Sequence, residues 1–319
     1  MKFEKIQNHS FLLNAALLVG AFLLMCVGIA YGLPLHLIGD EESLIGGAFK
    51  MLELRTLIPA LNPQAFDALY YPVLLPYLII VASLPALAWQ FLMNGSFESV
   101  KDAFALNQDA IWISARLISS VFGVLFVLLI YKLGKLFFTV RTAYFAAAFL
   151  ALSFFHTNLS HWMRHWIVAT FFAYLTFYLI AVAREKGKTG FSAGISAAVG
   201  MGVSYVSAIG HLASAFFTLL SRKAWGSRFL AYVAKNSIAF GIAAVGIIAL
   251  YYQDFLAQII LEDGTVTSAK SLLGFYITQV RGMLSLLQHE TPLLIASIAG
   301  LVFVSRYRKE NSFIFGALL

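Results

Sequence analysis

From Phe11 to Leu33 the chain runs without a single charged residue. About 20 consecutive apolar residues are enough for a helix to cross roughly 30 Å of hydrocarbon. Comparable runs recur at 72–93, 113–131, 142–158, 166–183, 191–220, 229–253 and 291–305. In lipid a backbone must satisfy its own hydrogen bonds, so these runs are expected to be helices. The fold class that follows is all-α: a polytopic transmembrane helical bundle of about 7–9 spans. Composition closes off the soluble alternative, because 61% of the residues are hydrophobic and 12% charged, against roughly 45–50% and about 25% in soluble domains. The first run is longer than a signal-peptide core and no small-residue cleavage site follows it, so it reads as a retained anchor. Cys26, the single cysteine, lies in that run and cannot form an internal disulfide. The net charge of +7 does not indicate nucleic acid, since its charges are spread over short loops between apolar runs, as a topology signal is.

Those charges test which runs cross. Suppose the N-terminus is cytoplasmic, 72–93 does not fully cross, and 191–220 is two short helices joined near Ser207 to Gly210. The inside segments then hold Lys2, Lys5, Lys132, Lys135, Arg141, Arg184, Lys186, Lys188, Arg222, Lys223, Arg228, Lys235, Arg306, Arg308 and Lys309. That is 15 of the 22 Lys and Arg, against only Glu4, Glu185 and Glu310 of the 15 acidic residues. A crossing at 72–93 would reverse the loops that follow and destroy the bias. The expectation is therefore a first external loop over 34–112 containing juxtamembrane or re-entrant helices, with 72–93 broken at Pro72, Pro76 and Pro85. A second external loop is expected over 156–166, and a third over 254–290 with an amphipathic helix near Ser268 to Leu287. A new apolar run starts at Phe313, so 1–319 reads as a single transmembrane domain truncated at its C-terminal end.

The chemistry-bearing residues gather outside the bundle. Asp40, Glu41 and Glu42 follow the first run; three adjacent carboxylates at a membrane surface repel one another and one can become a proton acceptor. The plainer reading is an acidic turn capping a helix over Ser43 to Leu54. Asn62-Pro63 and Tyr71-Pro72 suit a turn followed by a helix start. Arg116 lies at the outer edge of a span, where it needs a carboxylate or phosphate, or else snorkels to the interface. His156, His161, Arg164 and His165, interleaved with Trp162 and Trp166, form a cationic aromatic rim that a lipid phosphate could dock against, or an ordinary interfacial belt. His161 and His165 have i, i+4 spacing but no third metal ligand is fixed. His211 reads as an interior histidine, and Gly194, Gly200 and Gly202 as close-packing positions.

In this order the pieces resemble the GT-C superfamily, in particular bacterial relatives of protein O-mannosyltransferases and of the lipid A aminoarabinose transferase. The likeness covers Leu12 to Leu220. It rests on Asp40-Glu41, Asn62-Pro63, Tyr71-Pro72, Arg116 with Ser119, Gly123, Tyr131, Gly134 and Lys135, and Ser160 with Arg164. The resemblance implies that Asp40 is the general base with Glu41 beside it, and that Arg116, Arg164 and His161 bind the donor phosphate. Glu42, Tyr71 and His165 would line the acceptor or donor pocket. Where such enzymes often carry a second acidic residue after the outer arginine, this chain has His165 and Trp166.

The expected function is transfer of a sugar from a polyprenyl-phosphate donor to a hydroxyl on a lipid, glycan or protein acceptor. It would take place on the extracytoplasmic side of a bacterial inner membrane, among membrane lipids and without nucleic acid. No cofactor is fixed by the sequence, and a divalent metal stays open. The rivals are a transporter or flippase, which would place ionisable residues or broken helices at midplane, and a non-catalytic subunit.

Overall fold

A computed structural model of the chain describes residues 2–33, 39–62, 64, 72–94, 102, 108–204, 207–220 and 222–252. These residues are all-helical, with no strand among them. The main helices are α1 (Lys2–Cys26), α2 (Gly39–Glu53), α3 (Leu74–Asn94), α4 (Gln108–Phe137) and α5 (Val140–Leu152). They are followed by α6 (Phe154–His161), α7 (His165–Glu185), α8 (Ser192–Val203), α9 (Ser207–Leu220) and α10 (Phe229–Ala249). Among the described residues four stretches can cross a membrane by length and composition: Leu74–Met93, Gln108–Phe137, His165–Glu185 and Gly226–Ala249. Shorter apolar helices accompany them, and the chain is an integral membrane protein. Its exterior is apolar as lipid contact requires: Leu230, Ile242 and Val245 of α10 and Phe145 and Phe149 of α5 are all more than half exposed.

Contacts along the helices set their directions. Phe126 of α4 meets Tyr174 of α7, and Phe137 meets Phe177, so these two helices run in the same sense. On α8, Ser196 bonds Thr176 and Gly200 meets Phe172 of α7, while Gly194 bonds Asn236 and Gly202 meets Ile247 of α10, so α8 runs back against α7 and alongside α10. Arg116 near the start of α4 reaches the chain just beyond α1. The bundle therefore has two distinct ends. One holds the end of α1, the start of α2, the first third of α4 and the start of α7. The other holds Lys132, Lys135, Arg141, Arg184, Lys186, Lys188, Arg222, Lys223, Arg228 and Lys235. There Arg228 donates to the Gly187 carbonyl at 2.8 Å and Lys235 to Thr189 Oγ1 at 3.3 Å. The loops grouped by charge in the sequence thus share one end of the molecule.

Several boundaries differ from expectation. The first helix ends at Cys26, short of residue 33, because Gly28 and Gly32 take φ of 79° and turn the chain through Val27–Leu33. The 72–93 segment is not broken. Pro72 precedes α3 and Pro76 lies in its first turn, where no intrahelical donor is lost; only Pro85 is interior. The region expected as a second external loop is instead helix α6, separated from α5 by a bend at Ser153, whose side chain accepts from His156 N. The 191–220 run is two short helices as expected, but the first ends at Val203 and the second starts at Ser207, so Ser207 and Gly210 already belong to the second. The expected helix near Ser268 to Leu287, the span at 291–305 and the run from Phe313 lie outside the described residues.

Small residues on α8 let α10 and α7 come close. A Cβ added at Gly194 would stand 2.1 Å from the Asn236 carbonyl oxygen, and one at Gly200 would stand 3.0 Å from Phe172 Cβ. Because the obstruction at Gly194 is backbone, Gly194→Ala is expected to lower stability by about 1–3 kcal/mol. Thermal unfolding of the detergent-solubilised protein measures it, and an unchanged midpoint would show that α8 and α10 separate freely.

Candidate functional site

At the end where α1, α2, α4 and α7 converge, a buried ion pair joins residues 75 positions apart. Arg116 and Glu41 are both fully buried. Arg116 Nε donates to Glu41 Oε1 at 2.9 Å and Nη2 to Oε2 at 2.7 Å, the bidentate geometry in which guanidinium and carboxylate pair best. Nη1 donates to the carbonyls of Ile29 at 2.6 Å and Tyr31 at 2.8 Å. Those carbonyls are free to accept because the turns after α1 leave them outside its helical ladder. Four of the five guanidinium N–H groups are thereby engaged.

The same carboxylate reaches a third segment. Glu41 Oε1 accepts from the Met163 backbone N–H at 2.7 Å, in the short link between α6 and α7. Arg164 N donates back to the Trp162 carbonyl at 2.8 Å, tightening that link. The Trp162 ring covers the Arg116 guanidinium at 4.9 Å and meets Tyr31 edge to face at 5.9 Å. Deeper in, the Ser120 hydroxyl lies 3.1 Å from the Ser160 carbonyl, 3.3 Å from that of Met25 and 3.4 Å from that of Arg116. Its one hydrogen serves them in turn. Gly123 permits this approach, since a Cβ there would stand 2.4 Å from Ser160 Oγ.

The expected site residues divide accordingly. Glu41, Arg116, Arg164 and His165 come together at one end of the bundle. Glu41 and its neighbours are not a turn ahead of a helix but the opening of α2 itself, which starts at Gly39. Asp40 belongs to that first turn; its side chain lies outside the described residues. Glu42 is exposed. Arg164 is the N-cap residue of α7, with its Nε atom buried. His165 opens α7, is 6% exposed and stacks on Trp166 at 4.7 Å. His161 ends α6, and its Nε2–H donates to the Leu24 carbonyl at 3.1 Å, near the end of α1. His156 leaves the expected rim. It is buried in α6, and its Nε2–H donates to the Gly123 carbonyl at 3.3 Å. Asn62 makes the expected turn by accepting from Gln64 N at 3.0 Å. Tyr71 lies outside the described residues.

Four participants escaped the sequence reading: the Ile29 and Tyr31 carbonyls, Met163 N–H and Ser120. The first three are backbone groups and carry no side-chain signal. Ser120 had one, because Arg116, Ser119, Ser120 and Gly123 lie at i, i+3, i+4 and i+7 and mark a small, polar face on an otherwise apolar helix. Among the described residues no group of three or more His, Cys, Asp or Glu could hold a metal ion.

Removing one member of a buried pair strands the other, at a cost of about 3–5 kcal/mol. Arg116→Gln and Glu41→Gln are each expected to destabilise the protein by that order, and the double substitution by much less than the sum. Thermal unfolding of the four proteins gives the coupling; additive losses would mean that the pair does not act as a unit.

Residues 103–251 match the dolichyl-phosphate-mannose-protein mannosyltransferase family, 149 of the 319 residues. The match supports a GT-C-like membrane glycosyltransferase. It contains Arg116, His161, Arg164 and His165 and stops short of the acidic trio, which the structure binds to it through Glu41. No curated protein and no solved structure matches the chain.

Proposed function

We propose that this GT-C-type glycosyltransferase moves a sugar from a polyprenyl-phosphate carrier to a hydroxyl acceptor, at the bundle end that holds Glu41 and Arg116. The observation that carries the reading is the three-way contact of Glu41 with Arg116 and with Met163 N–H. It holds the first turn of α2, where Asp40 lies, against the cationic link from His161 to His165. A base and a set of cations at one membrane surface are what transfer from a lipid phosphate requires.

In this mechanism Asp40 accepts the proton of the acceptor hydroxyl as its oxygen attacks the anomeric carbon with inversion. The anomeric carbon to phosphate-oxygen bond breaks on the opposite face, and polyprenyl phosphate departs as an anion. Arg164, with His161 beside it, meets that charge, because charge developing on a leaving group is best met by groups already in place. Arg116 contributes through Glu41. With four of its donors occupied and no exposed surface, it is a positioning residue whose part is to hold the α2 turn. Glu42 and His165 line the space for sugar and acceptor, a role the family resemblance also gives to Tyr71.

The cationic end of the bundle would face the cytoplasm and the Glu41–Arg116 end the outside, following the charge bias. In a Cys26→Ser background, Asp40→Cys should react with a membrane-impermeant maleimide from outside intact cells, and Lys186→Cys should not. Labelling in the reverse pattern would place the site in the cytosol.

General-base catalysis is worth roughly 10²–10⁴-fold. Asp40→Asn should cut transfer of radiolabelled sugar from a polyprenyl-phosphate donor by that factor without shifting the unfolding midpoint. Undiminished transfer would remove Asp40 from the mechanism.

A further inference from the structure

Both α9 and α10 pack on α8, and α9 also packs on α7, yet α9 and α10 scarcely touch each other. Between them lies a cavity of about 560 Å³, within the roughly 300–1,000 Å³ range of ligand pockets. It occupies the half of the bundle away from Glu41 and Arg116. Its walls include Ala197, Ala215 and Phe240, with Thr176, Tyr232 and Asn236 among the polar residues. Lipid-facing apolar side chains frame its sides, Phe216 and Leu219 on α9 and Ile238 and Ile242 on α10.

Most of the polar groups in its wall are already satisfied. Asn236 donates to the Gly190 and Tyr232 carbonyls at 2.7 and 3.0 Å and accepts from Gly194 N at 2.8 Å. Thr218 donates to the Ser214 carbonyl and Thr176 to that of Phe172. Tyr232 differs. It is 2% exposed, its ring stacks on Trp225 at 4.1 Å, and its hydroxyl has no hydrogen-bond partner among the described residues. A buried hydroxyl in apolar surroundings calls for an acceptor.

Beyond this wall, toward the cationic end, stand two arginines. Arg184 lies one turn past Ile180 of the cavity wall, its guanidinium over the Phe217 ring at 5.4 Å. Arg222 follows α9, with its guanidinium over the Phe229 ring at 5.6 Å. Among the described residues neither has a carboxylate partner. Basic groups without counter-ions beside a lateral opening between membrane helices suit an anionic lipid headgroup.

We propose that this cavity binds an anionic phospholipid of the leaflet opposite the Glu41–Arg116 site. One acyl chain fills the cavity, an ester oxygen accepts from the Tyr232 hydroxyl, and the phosphate rests between Arg184 and Arg222. The inference does not depend on the glycosyltransferase reading, since none of these residues belongs to that site.

The full chain, purified in detergent, can be titrated with phosphatidylglycerol or phosphatidylcholine and followed by native mass spectrometry and thermal unfolding. Phosphatidylglycerol is expected to give persistent one-to-one adducts and raise the midpoint, with phosphatidylcholine much weaker. Arg184→Gln with Arg222→Gln should weaken phosphatidylglycerol binding by roughly tenfold or more and erase the preference. Ala215→Trp, at an exposed position on the cavity rim, should block the chain of either lipid while leaving the unliganded midpoint in place. Equal binding of both lipids, identical binding by the variants, or no adduct at all would overturn the proposal. The last outcome would mean that the groove is filled by the protein itself.

Discussion

A guanidinium and a carboxylate, both sealed from solvent inside a membrane bundle, impose a condition on everything around them. Taking either charge out of water costs several kcal/mol, and close, fully bonded contact is the compensation available. Arg116 meets this condition with Glu41 and two carbonyls freed by the early end of α1, and Glu41 meets it with Arg116 and a backbone N–H between α6 and α7. Four stretches of chain must therefore arrive together. Such a pair adds little net stability compared with well-packed apolar residues, but an arrangement that leaves one charge alone is heavily penalised. Its effect is to exclude alternative registers of the helices that share it.

The family match and the structure bear on different parts of this arrangement. The matched segment supplies the arginine, the tight link and the helices beneath them, whereas the acidic trio comes from earlier in the chain. Only the folded contact brings Glu41 to them. The backbone N–H of Met163 ties the α6–α7 link into the same pair: a carboxylate that accepts from both a side chain and the main chain cannot swing without losing one of them.

The helical, membrane-spanning character of the chain was legible because uncharged runs in hydrocarbon have one solution for their backbone hydrogen bonds. The grouping of Lys132, Lys135, Arg184 and Arg228 at one end was legible too, since charge alternation follows the direction of each crossing. Boundaries were less so. Gly28 and Gly32 stop α1 inside an apolar run, which hydropathy cannot register. Prolines counted as breaks in 72–93 stand mainly where a helix start has no bond to lose. The Arg116–Glu41 pair was out of reach for a different reason. An arginine at a span's edge calls equally for a carboxylate, a phosphate or water, and only tertiary structure chooses.

The paired helices α8 and α9 carry one more consequence. At about 1.5 Å per residue, helices of 12 and 14 residues rise roughly 18 and 21 Å, well short of the roughly 30 Å hydrocarbon layer. Each is thus too short to cross that layer alone, and α8 ends against two other helices: a Cβ added at Gly202 would stand 2.6 Å from Leu74 Cδ1 of α3 and 2.9 Å from Ile247 Cγ2 of α10. A single small residue near the end of a short helix therefore governs how closely two separate helices can approach it.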